Sequence, residues 1–208
     1  MVRTGSPVIC SSVNDAVVHG IPDGFEVGDG DLVTIDVGVT LDGYIADSAY
    51  TFGVGVIEAR DQRLLDVAQE ALAAGIAEAV VGGRVGDVSH AIQEVVEAGG
   101  FSVVRSLVGH GVGRYYHEDP HIPNFGEPGR GPRLPEGMTI AIEPMITAGG
   151  PDVVMAADGW TVSTTDGSLG GFGSLYWMWS ISIAESSGVI SMRRMPARLS
   201  RCMRRSSP

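Results

Sequence analysis

Residues 34 to 52 read TIDVGVTLDGYIADSAYTF. Two alternating apolar runs flank Asp42-Gly43, and each carries one aspartate, Asp36 and Asp47. Asp-Gly between such runs is a two-residue hairpin signal. With Leu41 opposite Tyr44, paired positions sum to 85, so Asp36 faces Ala49. Asp47, two residues from Ala49, then points to the same face as Asp36. The two become diagonal neighbours, roughly 7–8 Å apart at the backbone. Bare, they repel, and one is driven to hold a proton. A divalent cation removes that cost, and two cations about 3.5–4 Å apart need carboxylates that bridge them. Turn capping or solvent exposure is the alternative for a single strand aspartate; two on one face, flanked by apolar residues, favour ligation. Asp42, at the turn, is structural.

The histidines extend the set. His110 lies in GHGVG, a run too Gly-rich for a packed strand but one whose backbone can curve close to a ligand. His117 follows seven residues on, in YYHEDPH, and His19 lies in NDAVVHGIPDG. His90, within a helical pattern, and His121, beside prolines, read as satisfied structural residues. Glu143 ends the apolar run TIAIEP, where a carboxylate is out of place unless paired. The candidate ligands are therefore Asp36, Asp47, His110 and Glu143. Oxygen and imidazole donors without thiolate suit Mn, Fe(II), Co or Zn better than a structural zinc cage.

These residues need elements to hold them. Leu32 to Thr40 and Tyr44 to Phe52 alternate as strands. The period then changes: Leu64, Leu65, Ala68, Leu72, Ile76 and Ala79 share one helical face within residues 59–81, and Gly82-Gly83 ends it. A second helix is predicted from Asp87, as N-cap, to Glu97, with Val88, Ile92, Val95 and Val96 inward and Gly99-Gly100 as its stop. The stretch from Phe101 to Val108, MTIAIEPM, and a hairpin over 153–165 turning at Asp158-Gly159 complete a strand–helix–strand order. The class is α+β or mixed, in one domain.

The chain has 208 residues, of which 44% are apolar, enough for a sizeable core. No apolar run reaches the roughly 20 residues of a membrane helix, and MVRTGSPVIC lacks the apolar core of a signal peptide. A cytoplasmic protein is the default. Cys10 and Cys202 are the only cysteines, too few for a disulfide framework or a thiolate cage. The net charge of −11 argues against a nucleic-acid surface. All 14 basic residues are arginine. Charge is uneven: residues 1–168 hold 24 acids against 8 arginines, whereas residues 169–208 hold Glu185 alone against six arginines. A catalytic domain over 1–168 and a divergent, partly disordered basic tail over 169–208 is the expected division.

HGIPDG, IDVGV, DGYIADSAYTF, GHGVGRYYHEDPHIPNF, MTIAIEPM and DGWTVSTTDGSL stand in the order and approximate spacing of the type I methionine aminopeptidases, which the chain resembles over about residues 8–169. The resemblance implies the pita-bread (creatinase/aminopeptidase-like) fold around two divalent metal ions, Co, Mn, Fe(II) or Zn. It implies removal of the initiator methionine from nascent polypeptide N-termini in the cytoplasm, with ribosome association, and with no part for nucleic acid or membrane. By motif, Asp36 resembles the chelating ligand of one metal and Asp47 the bridge, while His110 and Glu143 resemble ligands of the other. His117 resembles the histidine that contacts the scissile peptide, and His19 the one that contacts substrate near the reacting amide. Cys10, Tyr116, Met145 and Trp160 fall where the family lines its methionine pocket; as core residues they would need no such role. The expected chemistry is attack by a metal-activated water on the carbonyl after the first residue, with Glu143 passing a proton to the leaving amine.

Two departures bear on this. The family carries a further bridging glutamate on a strand shortly after TTDGSL, and no carboxylate occurs here between Asp166 and Glu185. One alignment puts Met178 in its place; Glu185 would have to reach from the far end of that strand. The family's amino-terminal helices also have no counterpart, so apolar sheet surface is expected to be uncovered. A weakened second metal site follows, and the alternative function is a catalytically inactive pita-bread remnant or peptide-binding pseudoenzyme.

Overall fold

The computed structural model describes residues 9–172 and the backbone of 181–182. The chain forms β1 (Cys10–Val13), β2 (Ala16–Val18), β3 (Leu32–Leu41) and β4 (Tyr44–Gly53), then α1 (Ala59–Glu78) and α2 (Val85–Ala98). There follow β5 (Ser102–Val103), β6 (Val108–Gly111), β7 (Glu118–Pro123), β8 (Thr139–Ala141), β9 (Met145–Thr147), β10 (Val153–Met155), β11 (Val162–Thr164), β12 (Gly170–Phe172) and β13 (Ile181–Ser182).

The β3–β4 hairpin has the register derived above: every pair from Leu41↔Tyr44 to Leu32↔Gly53 sums to 85, and Asp36 faces Ala49. Its turn places Asp42 at φ 52° and Gly43 at φ 80°. Two positive φ values give the right-handed twist that a two-residue hairpin needs. The strand β1 pairs with the other side of β3, setting Cys10 opposite Asp36.

Four small antiparallel sheets result, ordered β1-β3-β4, β10-β11-β2, β12-β9-β5 and β13-β8-β6-β7. The helices pack on each other and on β5, β7, β9 and β12. Their inward faces, Leu64, Val67, Ala68, Ala71 and Leu72 with Val88, Ile92 and Val96, join Leu32, Val103, Ile122, Leu134, Ile140, Ile142 and Ile146 in the main core. A smaller cluster holds Val17, Val18, Ala49, Val104, Met145, Val162 and Phe172. The strand β12, beyond the change of composition at residue 168, is thus part of the packed body.

Several local expectations are corrected. The first helix stops at Glu78, and Ala79 is its C-cap. The second begins at Val85, because Asp87 sits at the third helical position and accepts the Arg84 N–H at 2.9 Å. A carboxylate reaching back to the N-cap amide satisfies an orphan donor from inside the helix. The Gly-rich run around His110 is a paired strand, not an open loop: Gly109 faces Ile122, and a Cβ there would lie 2.3 Å from the Ala141 carbonyl oxygen. Glycine lets β8 close up. MTIAIEPM is two strands, broken at residues 142–144, and Glu143 stands in the break.

Candidate metal centre

Three side chains from three elements converge. The strand β4 supplies Asp47, β6 supplies His110, and the break after β8 supplies Glu143. Ligand atoms of these residues lie within 4.8 Å of one another, the one such group among the described residues. The Nε2 of His110 is 3.1 Å from Glu143 Oε1 and 3.7 Å from Asp47 Oδ2. All three side chains are nearly shielded from solvent.

The other ring nitrogen fixes the tautomer. His110 Nδ1 stands 2.8 Å from the Gly111 carbonyl, which can only accept, so Nδ1 carries a proton. In a neutral ring, Nε2 then aims a lone pair at two carboxylates. That arrangement is repulsive unless a proton or a metal cation stands between them. Glu143 Oε1 is buried and, despite its proximity to His110, makes no hydrogen bond of acceptable geometry.

Asp36 borders this trio without joining it. Burial, then the charges of Asp47 and Glu143, push its carboxyl up to about 7. Glu143 is raised by its own burial, which outweighs the proximity of His110. Burial lowers the His110 pKa, but the contact and charge of Glu143, the Gly111 carbonyl and the charge of Asp47 together outweigh it, and the net direction is up. No arginine enters the balance at Asp36 or Glu143.

His117 packs edge-on to His110, ring centroids 4.4 Å apart. Burial and then the neighbouring His110 lower its pKa, which keeps it neutral. Burial lowers His19 likewise. His19 adopts φ 61° and stacks on Trp160 at 5.2 Å between centroids. Asp158 accepts the Trp160 and Thr161 N–H groups at 2.8 and 2.9 Å, setting the loop that presents the indole. Cys10 is half-buried, its thiol raised by burial and then by Asp36. Tyr116 directs its hydroxyl to Asp47 at 2.7 Å. Met145 lies buried in the smaller core cluster. His121 points outward from β7, and His90 faces Glu94 on the exposed side of α2, as structural readings require. Met178 and Glu185 lie outside the described residues.

Beneath the site runs a pair that sequence reading passed over. Thr34 and Thr51 sum to 85 and share the face of Asp36; their hydroxyls are 2.8 Å apart, and Thr51 accepts the Phe172 N–H at 3.0 Å. The register arithmetic that placed the aspartates was enough to find the threonine pair, but not its bond to Phe172.

Residues 3–175 match Metallopeptidase family M24, and the chain belongs to it. Its pita-bread fold is the one described above. The methionine aminopeptidase of Clostridium perfringens is 53% identical over 161 residues, covering 77% of this chain and 65% of that protein. Methionine aminopeptidase 1 of Mycobacterium tuberculosis is 46% identical over 184 residues, 85% and 68% of the two chains. The crystal structure of methionine aminopeptidase from Thermotoga maritima superposes with a TM-score of 0.81 at 47% identity, covering 86% of this chain and 71% of that one. The chain thus spans about two thirds of the length of such relatives. No helix among the described residues is long and apolar enough to cross a membrane.

Proposed function

We propose that this chain acts as a methionine aminopeptidase, removing the initiator methionine from nascent polypeptide N-termini through a centre built on Asp36, Asp47, His110 and Glu143. The observation that carries the reading is electrostatic. A buried imidazole, a carboxylate oxygen without a hydrogen bond and a carboxyl raised to about 7 face one another with no arginine among them. A divalent ion fits that set, and the donors suit Mn, Fe(II), Co or Zn. Such an ion supplies Lewis acidity toward the peptide carbonyl and an acidified water.

The chain's own residues do the rest. Asp47, His110 and Glu143 offer one position three donors. Asp36, with Asp47, offers a second position fewer, so two ions bind unequally. His117, neutral, presents an N–H to the oxygen on which charge develops, a contribution of roughly 3–4 kcal/mol for a well-placed donor. His19, braced by Trp160, orients the reacting amide. Glu143, its pKa raised by burial, can hold a proton for the leaving amine. Cys10, Tyr116 and Trp160, with Met145 behind, form an apolar, polarisable seat for an unbranched thioether. The setting is cytoplasmic, on chains emerging at the ribosome, without nucleic acid or membrane.

The absence of a carboxylate between Asp166 and Glu185 favours a second reading, a peptide-binding pseudoenzyme. Release of methionine from a Met-Ala-Ser peptide, with and without added Mn²⁺ or Co²⁺, separates the two. Metal-dependent release that a chelator stops supports the aminopeptidase. A folded chain that loads metal and releases nothing is the pseudoenzyme.

A further inference from the structure

We infer that Tyr116 is a positioning residue of the metal centre, its hydroxyl holding one oxygen of Asp47 so that the other faces His110. The phenol donates to Asp47 Oδ1 at 2.7 Å, while Oδ2 lies 3.7 Å from His110 Nε2. The two oxygens are therefore differentiated, and the carboxylate plane is set by a bond outside the ligand trio. An O–H donated to a carboxylate is among the stronger hydrogen bonds available to a side chain. Partners of this kind fix the orientation of ligands to a metal.

The seat for the phenol is built into the hairpin. Gly38 pairs with Asp47 across β3 and β4. A Cβ at position 38 would lie 2.5 Å from Tyr116 Cε2 and 2.7 Å from its hydroxyl oxygen. Any side chain there would displace the ring. The loop carrying Tyr116 is tied to β4 a second time, where Ile45 donates its N–H to the Gly113 carbonyl at 2.7 Å. The two ties, at Ile45 and at Asp47, bracket the loop. His117, next in sequence to Tyr116, is thereby held at a fixed offset from the ligands. One hydroxyl couples the carboxylate of the metal centre to the histidine that meets the substrate. A ring serving only as a pocket wall needs no hydroxyl and no glycine opposite it.

The inference rests on Asp47 being a metal ligand, and the test separates the two. Co²⁺ is titrated calorimetrically into the chelator-stripped chain and into Tyr116→Phe, Gly38→Ala and Asp47→Asn, with the visible absorption of bound Co²⁺ recorded. Tyr116→Phe keeps the ring and its packing. It is expected to bind Co²⁺ about 10-fold more weakly, with a changed absorption band, while the metal-free chain still unfolds in one cooperative transition. Gly38→Ala, which displaces the phenol, is expected to weaken binding similarly. Wild-type affinity and spectrum in Tyr116→Phe, beside loss of binding in Asp47→Asn, overturn the inference alone. Wild-type affinity in Asp47→Asn overturns the metal reading and the inference with it.

Discussion

Two sets of acids in this chain share a carboxyl group and little else. In turns and at the start of α2, Asp31, Asp87, Asp158 and Asp166 each accept hydrogen bonds from nearby groups and are held below the ordinary aspartate range. Asp166 goes furthest: the Ser168 hydroxyl and the N–H groups of Gly150 and Ser168 hold it at about 2. At the centre, Asp36 and Glu143 move the opposite way, pushed up by burial and, at Asp36, by other carboxylates. A carboxylate that the fold needs for itself is given donors. At the centre Asp47 still accepts the Tyr116 hydroxyl, whereas burial dominates at Asp36 and Glu143. Among these six acids the direction of the shift follows the setting.

The largest effect should come from breaking the central population. Asp47→Asn or Glu143→Gln should weaken Mn²⁺ or Co²⁺ binding by at least about 100-fold, more than loss of an outer partner does. The metal-free melting temperature should hold or rise, since a repelling buried charge is gone. A metal-free chain clearly destabilised by both changes would mean that these acids belong to the fold after all. Next, metal itself should stabilise. At an ion concentration 100 times Kd, the gain is about 2.7 kcal/mol, read as a melting temperature that a chelator brings back down.

The pH dependence of the metal-free chain sharpens the contrast. A carboxyl raised to about 7 in the fold keeps its proton better there than in the unfolded chain. Its stabilising contribution is full below the unfolded value and is lost as pH rises through the folded one. Stability should therefore fall between about pH 4 and pH 7, by at most ~1.4 kcal/mol per pH unit. Asp36→Asn should flatten that slope in urea titrations across the window; an unaltered slope would assign it elsewhere. Asp166 has the opposite sign, its contribution present at neutral pH and lost as pH falls toward about 2. The smallest effect is expected from Asp158→Ala, which removes an exposed turn bond. A slight drop in melting temperature with unchanged Co²⁺ affinity is the outcome, and altered affinity would show that the turn presenting Trp160 reaches the centre.

How much of this the sequence disclosed depends on distance along the chain. The hairpin was legible to the last pair, because a two-residue Asp-Gly turn fixes register and a period of 2 carries it along both strands. The faces of α1 and α2 were legible from their period. The start of α2 was not, since Asp87 suits an N-cap by type yet acts one turn later, through Arg84. His110 was singled out as a candidate, but its strand was missed because Gly109 looks like a breaker when its neighbour β8 is unknown. The meeting of Asp47, His110 and Glu143 joins residues nearly 100 positions apart. Residue chemistry grouped them as candidate ligands, and only the family resemblance assigned them to particular metals. The Tyr116 hydroxyl on Asp47 had no sequence signal, since a pocket wall and a hydrogen-bond donor are the same letter.

The turn at Asp42-Gly43 has one more consequence. With ten paired positions on each side, the hairpin behaves like two toothed racks locked at one end. One residue added within that turn would advance β4 by a tooth, carry Asp47 through the sheet to its opposite side, and leave Asp36 where it is. Length variation at that tip therefore leaves the centre intact only where a longer loop absorbs it or the racks stay in phase, so the tip, which carries no ligand, gauges the centre.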